Sequence, residues 1–489
     1  MQKTDCIIAN HDLVLSDLSL GGGVILPAPA ESIYVFDEAH QLAGKSLNHF
    51  SRTLRCHSTS VWLEQFAAVM QRIAQDMEAQ ARIRTLLAEA RDHCVTTRAC
   101  LQESSLLLQP WMERAESASV QGDTTQYVFP RGVVDSHICA ALDALSAEFV
   151  TLAVRLGRLV ERLKQCMEEE GGEVERQQAE TWYPLFGSAL TRVEAAADCC
   201  LRFSRMDAVS SAPNARWLTF SDAGGAVEIT LSTSPVLAAD DLQEKLWSQC
   251  HGAVLTSATL TALDSFDFLA DHCGLPDSTV YHRIGSPFSH TAAAVLKVPA
   301  KGFDPSNNAA HSAAIVDILP QLLEGERGGL VLFSSRRQMN DVLQGLPAAF
   351  REQILGQDDY PKQELLRLHR EAVDKGVRSI IFGLASLAEG IDLPGDYCTH
   401  VVIAKIPFPV PNDPVDATLG EWVKSQGRNP FQELSIPEAA LRLIQASGRL
   451  LRRESDSGTI TILDERLLTR SYGRAILDSL PPYRREVIS

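Results

Sequence analysis

The pattern of apolar and polar positions changes character several times along this 489-residue chain. Residues 1–55 read as strand, loop, strand, loop and helix. The second of these strands, Ile33-Tyr34-Val35-Phe36, is apolar on both faces, as expected of a strand buried inside a parallel sheet. Residues 56–212 are rich in Ala, Leu, Glu, Arg and Gln, poor in Gly, and periodic at helical spacing. Leu142, Leu145, Phe149, Leu152, Leu156, Leu159 and Leu163 alternate gaps of three and four, a heptad-like stripe ended by Gly171-Gly172. That stripe predicts the packing face of a helical insertion. Residues 213–300 return to alternating strand and helix signals. Residues 301–489 form a further α/β unit, with buried-strand candidates at 329–333, 379–383, 400–404 and 458–463. Helical segments between them predict parallel strands joined by right-handed crossovers. The prolines from Pro407 to Pro414 preclude regular helix there.

Composition adds exclusions. Apolar residues make up 45% and charged residues 22%, the balance of a soluble globular chain with room for two to four domains. No run of about 18 apolar residues occurs, so no membrane span is expected. Nor does the N-terminus carry a signal-peptide core or cleavage site. The eleven cysteines show neither C-x-x-C pairs nor iron–sulfur or zinc-ribbon spacing. Their odd number, without a secretion signal, points to free thiols in a reducing cytoplasm. A net charge of −17 means that any affinity for nucleic acid must come from local Arg and Lys placement, and salt would weaken it steeply.

Five segments carry candidate chemistry. Asp37-Glu38-Ala39-His40 directly follows the strand at 33–36, where the carboxyl ends of parallel strands face ligands. Phosphoryl transfer needs one carboxylate for Mg²⁺ and another group to orient or deprotonate the attacking water, and Asp37 and Glu38 suit those roles in that order. The same pair also fits a helix N-terminus, complementing the dipole. Ser257-Ala258-Thr259 ends another apolar strand with two hydroxyls, suited either to bonding nearby carboxylates or to capping a helix. Phe382 to Asp396 contains Glu389, Gly390 and Asp392, either a loop facing the crevice or an ordinary acidic turn. Gln445 to Arg453 places Gln445, Gly448, Arg449 and Arg452 at fixed offsets, with the arginines and Gln445 expected on one helical face. Two guanidiniums aimed across a cleft are what a transferring γ-phosphoryl group requires. Ser334, Ser335 and Arg336 either contact a nucleic-acid backbone or cap a helix.

Taken in order, DEAH at 37–40, SAT at 257–259, EGIDLPGD at 389–396 and QASGRLLR at 445–452 resemble the motif series of superfamily 2 helicases. A helical insertion between the first two resembles the arch of the XPD-like branch. Ala9-Asn10-His11, Gly285-Ser286-Pro287-Phe288, Glu421-Trp422-Val423-Lys424-Ser425 and the segment from Asp464 to Gly473 are similar to bacterial DinG helicases. The resemblance spans essentially the whole chain.

It implies an α/β fold of two RecA-like parallel-sheet domains, the first incomplete, with an all-helical arch. The expected boundaries are 1–55 and 213–300 for the first domain, 56–212 for the arch and 301–489 for the second domain. It implies a cytoplasmic, nucleoid-associated, monomeric enzyme that uses ATP and Mg²⁺. Such an enzyme translocates 5′ to 3′ on single-stranded DNA and unwinds forks, displacement loops and RNA–DNA hybrids during repair and replication. Single-strand-binding protein is a further candidate partner. By the same resemblance Asp37, as the Mg²⁺ ligand, and Glu38 form the Walker B pair. His40 and Ser257 to Thr259 couple hydrolysis to movement, and Glu389, Gly390 and Asp392 sense nucleotide and DNA. Gln445, Gly448, Arg449 and Arg452 form the last motif, with Arg452 as arginine finger and Arg449 as a second phosphate contact.

The family also has a G-x-G-K-T-type phosphate loop and a four-cysteine [4Fe–4S] domain ahead of the Asn-His segment, and this sequence contains neither. Ala39 to Ser46, AHQLAGKS, fits a loose version of the loop, but Ala replaces the first Gly and His-Gln-Leu makes a poor backbone nest. Weak or absent ATP hydrolysis is therefore expected of these residues alone. A CRISPR-associated DinG relative and a non-catalytic DNA- or protein-binding scaffold are the alternatives.

Overall fold

A computed structural model of the chain describes residues 5–75, 81–116, 120–121, 124–168, 176–208, 211–384, 387, 390–409 and 413–488. In chain order its strands are β1 (Ile33–Asp37), β2 (Arg52–Arg55), β3 (Val120–Gln121), β4 (Thr124–Val128), β5 (Asn214–Asp222), β6 (Val227–Pro235) and β7 (Gly252–Thr256). They continue with β8 (Ala294–Pro299), β9 (Gly328–Phe333), β10 (Ile354–Gly356), β11 (Ser379–Leu384), β12 (His400–Ile403), β13 (Gly458–Ile462) and β14 (Arg484–Ile488). The chain divides into two compact units.

The first unit comprises residues 1–28, 44–241 and 411–427. Its long helices are Cys56–Gln75, Ala81–Leu108, Ser136–Glu168 and Arg176–Ser204. Every member of the predicted stripe from Leu142 to Leu163 is buried, because helix Ser136–Glu168 packs against both Ala81–Leu108 and Arg176–Ser204. By length and mean hydropathy that helix is able to cross a membrane. Its apolar stripe instead joins the core of this unit. The glycines expected to end the stripe lie outside the described residues. The expectation of an all-helical insertion needs one addition. Strands β2-β6-β5-β4-β3 form an antiparallel sheet beside the helices. β5 and β6 turn on Gly224 and Gly225, both at positive φ (71° and 97°), which glycine adopts without a Cβ penalty. Residues 214–235, read from sequence as part of the first α/β domain, thus pair within this unit. Helix Pro414–Ser425 also packs here, against β5, and Arg131 donates its backbone N–H to Glu421 Oε2 at 2.5 Å.

The second unit comprises residues 29–43, 242–410 and 428–489. Its main sheet runs β10-β11-β9-β12-β13-β8-β14, all parallel. β9, β12 and nearly all of β11 are buried, as their unbroken apolar runs require of strands flanked on both sides. β8 belongs to this sheet, so it begins ahead of the boundary at 301 that composition suggested. At Gly328 a Cβ would stand 2.4 Å from the carbonyl oxygens of Asp396 and Tyr397, so only glycine lets that loop cross the start of β9.

β1 and β7 form a separate parallel pair with Asp37 opposite Thr256. Here the expectation of burial on both faces fails. Phe36 is buried edge-on to Trp247, but Ile33 is 66% and Val35 68% exposed. An apolar run records a strand's preference for a sheet interior. It does not record how many neighbours cover it, and in the described residues β1 has β7 as its one strand partner.

Candidate functional site

The parallel register of β1 and β7 brings the two segments that follow them together. Past Asp37 the chain turns sharply: Glu38 is left-handed (φ 51°, ψ 42°), and Ala39–Gln41 makes one 3-10 turn. A carboxylate side chain held in that region costs about 1 kcal/mol and marks a place where surrounding contacts dictate the backbone. Those contacts converge on Ser257. Ser257 Oγ donates to Glu38 Oε2 at 2.9 Å, and His40 Nδ1 lies 2.9 Å from Ser257 Oγ. With the serine hydroxyl donating to Glu38, His40 must donate to Ser257 Oγ from Nδ1. The Thr259 N–H donates to Ser257 Oγ at 3.2 Å, and His40 Nδ1 stands 3.3 Å from Glu38 Oε2. Ala258 is exposed and supplies spacing.

The network continues into the C-terminal motif. Gln445 Nε2 donates to Thr259 Oγ1 at 3.4 Å. Gln445 sits near the end of helix Ile436–Ser447, with Gly448 as its C-cap. Arg449 and Arg452 were expected on that helix beside Gln445. They lie beyond it, in the turn that follows, because the helix stops at Gly448 and Asp456 Oδ2 takes the N–H groups of Arg452 (2.9 Å) and Arg453 (2.8 Å).

Both arginines rest on the 390–392 loop. Arg452 Nη2 donates to Ile391 O at 2.6 Å and Arg449 Nη1 to the same oxygen at 3.3 Å. Arg452 Nε stands 3.3 Å from Asp392 Oδ1, an ion pair without hydrogen-bond alignment. Gly390 has φ 70°, the left-handed conformation its residue type favours. Glu389 lies outside the described residues.

Comparison with known proteins bears on these geometries. The helicase C-terminal domain family matches residues 319–483. The ATP-dependent DNA helicase DinG of Photobacterium profundum is 32% identical over 494 residues, covering 100% of this chain and 69% of that protein. The chain belongs to the DinG family. DinG of Salmonella typhimurium is 30% identical over 501 residues, covering 99% of this chain and 67% of its own length. Among solved structures, an XPD helicase matches with a TM-score of 0.47 and 14% identity over 93% of this chain and 68% of that one. Xpd4 of S. tokodaii matches with a TM-score of 0.49 and 13% identity, over 94% and 77%. The fold of this DinG-family chain is α/β, with a seven-stranded parallel sheet in one unit and long helices in the other.

Other sequence candidates resolve plainly. Lys45 and Ser46, the loose phosphate-loop match, lie inside helix Leu42–Phe50, and Lys45 is paired to Asp12 at 2.9 Å. The preceding 3-10 turn already takes the Gln41 N–H to Glu38 O and the Leu42 N–H to Ala39 O, so the segment is helical and forms no open nest for phosphate. Ser335 is the N-cap of helix Arg336–Gly345, accepting the Gln338 N–H, and Arg336 pairs with Asp358 at 3.1 Å. Ser334 Oγ is buried without a hydrogen-bond partner.

For metal, Asp37 is exposed at the strand end, its Oδ1 taken by the Glu38 N–H. One carboxylate suffices in principle, since Mg²⁺ usually takes one or two plus phosphate oxygens and water. The described residues do not fit an iron–sulfur cluster. No three Cys, His, Asp or Glu side chains gather, and burial pushes the thiols of Cys56, Cys94, Cys273 and Cys398 up to about 12, far from the thiolate a cluster needs. Two contributors escaped the sequence reading: the Ile391 carbonyl and Asp456. A backbone carbonyl leaves no residue signature, and a lone Asp in a turn looks like any other.

Proposed function

We propose that this chain is the motor portion of an ATP-dependent DNA helicase. It would move 5′ to 3′ along single-stranded DNA and open forks, displacement loops and RNA–DNA hybrids in repair and replication. The observation that carries the reading is the continuous hydrogen-bond path Glu38–Ser257–Thr259–Gln445. It links acidic residues near the front of the chain to the segment bearing two arginines near its end.

Each residue then has a task. Asp37 would hold Mg²⁺, which when bound would supply positive charge against the phosphates. Glu38 orients the attacking water and takes its proton. Arg452 and Arg449 donate to the oxygens on which charge builds. Loss of the γ-phosphate changes what Glu38 and the arginines contact, and His40, Ser257 and Thr259 pass that change on. Gly390 and Asp392, with Glu389, carry it to the strand-binding surface, and Gln445 and Gly448 hold the arginine turn in place. Ser334, Ser335 and Arg336 remain candidates for backbone phosphates. Single strands would be held by phosphate contacts and base stacking with little sequence preference. We place the protein in the cytoplasm on the nucleoid, as a monomer, with single-strand-binding protein a candidate partner. A [4Fe–4S] cluster forms no part of this proposal.

The 489 residues contain no G-x-G-K-[ST] loop. Turnover by them alone is therefore expected below ~1 s⁻¹, the low end of ordinary enzyme rates. Binding is the sharper test. A fluorescent ATP analogue with Mg²⁺ is expected to bind the chain weakly, and Arg452→Ala is expected to weaken it about tenfold or more, the loss of one charge-assisted hydrogen bond. Equal affinity in both proteins would remove Arg452 from the site.

A further inference from the structure

Asp456 lies in the turn between the arginines and β13, and the residue is 5% exposed. Its two oxygens are divided between two segments. Oδ2 accepts the N–H groups of Arg452 and Arg453, while Oδ1 accepts the N–H of Gly395 at 3.1 Å. A second tie joins the same segments in the opposite sense, from the guanidiniums of Arg449 and Arg452 to Ile391 O. The loop from Ile391 to Gly395 and the turn from Arg449 to Asp456 are thus fastened at both ends, closing a ring. Every bond to Asp456 is charge-assisted when the carboxylate is ionised.

We infer that Asp456 is a positioning residue that locks the 391–395 loop to the arginine turn, so that the two move as one body and the guanidiniums keep one setting against the loop. The inference rests on the reading that these arginines serve the nucleotide. The division of oxygens separates this role from simple turn closure. Turn closure needs only Oδ2. The lock needs Oδ1 as well.

Asparagine divides the two roles chemically. With its single oxygen accepting from Arg452 and Arg453, its NH₂ group faces the Gly395 N–H, donor against donor. Asp456→Asn therefore keeps the turn and opens the lock. Asp456→Ser, whose short hydroxyl caps backbone N–H groups as serine does at helix starts, acts the same way by a different geometry.

The test uses hydrogen exchange, resolved to single amides, and the ¹⁵Nε resonances of Arg449 and Arg452 in the full 489-residue chain. In the unaltered protein the Gly395 and Arg452 amides are expected to exchange with one common opening equilibrium. In Asp456→Asn and Asp456→Ser, Gly395 exchange is expected to rise about tenfold or more, as for a lost bond to a charged acceptor. Arg452 and Arg453 amides stay protected and both ¹⁵Nε resonances shift. Unrelated opening of Gly395 and Arg452 in the unaltered chain would overturn the lock. So would Gly395 protection unchanged in the variants, or unmoved arginine resonances once Gly395 is released. None of these readouts requires nucleotide. If Arg452→Ala leaves nucleotide affinity intact, the functional reading falls while the lock is still judged.

Discussion

Ser257 Oγ lies 2.9 Å from Glu38 Oε2, although 219 positions separate the two residues in the chain. The contact follows from sheet register: Asp37 is opposite Thr256, so the residues that leave the two parallel strands emerge side by side. The same hydroxyl accepts from His40 and Thr259, and Thr259 in turn accepts from Gln445. The Ser257 and Thr259 side chains therefore sit where the acidic segment, the hydroxyl segment and the C-terminal motif meet.

Ser257→Ala removes that junction without touching a phosphate ligand. The variant is expected to bind a Mg²⁺–ATP analogue and single-stranded DNA nearly as well as the parent. The factor by which either ligand alters affinity for the other should fall about fivefold or more, corresponding to ~1 kcal/mol of coupling. Fluorescence anisotropy of labelled DNA, with and without analogue, measures this. Unchanged coupling would contradict the role given to Ser257.

Glu38 combines a chemical role with an unfavourable backbone, and substitution separates the two. Glu38→Gly relieves the left-handed conformation, whereas Glu38→Ala keeps it. The glycine variant is expected to be more stable than the alanine variant by about 1 kcal/mol in urea unfolding. Neither should retain the Mg²⁺-dependent coupling of nucleotide to DNA. An alanine variant at least as stable as the glycine variant would show that the turn is not strained.

Much of this arrangement is legible from residues alone, for a physical reason. Parallel strands such as β9 and β11 are buried on both faces, and their unbroken apolar runs announce it. Residues just beyond such strands face the ligand side of the sheet, which is why Glu38, Ser257 and Thr259 are legible in the sequence. The leucine stripe of Ser136–Glu168 was equally plain. What escaped depends on partners distant in sequence. Arg52–Arg55 pairs with Thr230–Thr233, and nothing local to either segment says so. The exposure of Ile33 and Val35 reflects neighbours, not composition. Gly448 carries a signal, a glycine at the end of an apolar helix that marks its stop ahead of Arg449 and Arg452, although its backbone stays right-handed (φ −66°). Asp456 carried none.

Stability should respond to acid through His400. The imidazole is 2% exposed, with Nε2 2.8 Å from Thr461 Oγ1 and Nδ1 3.8 Å from Glu326 Oε1. Burial, with repulsion from Lys297, pushes its pKa down to about 4. The unfolded value is about 6.5, so on acidification the unfolded chain takes up the proton first. The His400 contribution is thus constant above about pH 7, and stability is lost through it as pH falls toward 4, by roughly 2 kcal/mol at pH 5. His400→Gln should remove about that much of the difference between urea unfolding at pH 7.5 and at pH 5. His311 and His369, also buried with lowered values, leave a residual acid sensitivity of the same sign. Parallel losses in parent and variant would contradict the assignment.

The central claim is that Asp37 and the two arginines address one nucleotide. Mn²⁺ in place of Mg²⁺ tests it most directly, because the paramagnetic ion broadens only nearby resonances. With Mn²⁺ and an ATP analogue present, the side-chain Nε–Hε signals of Arg449 and Arg452 should broaden, and Asp37→Asn should restore them. Sharp arginine signals while Mn²⁺ is demonstrably held by Asp37 would contradict the account.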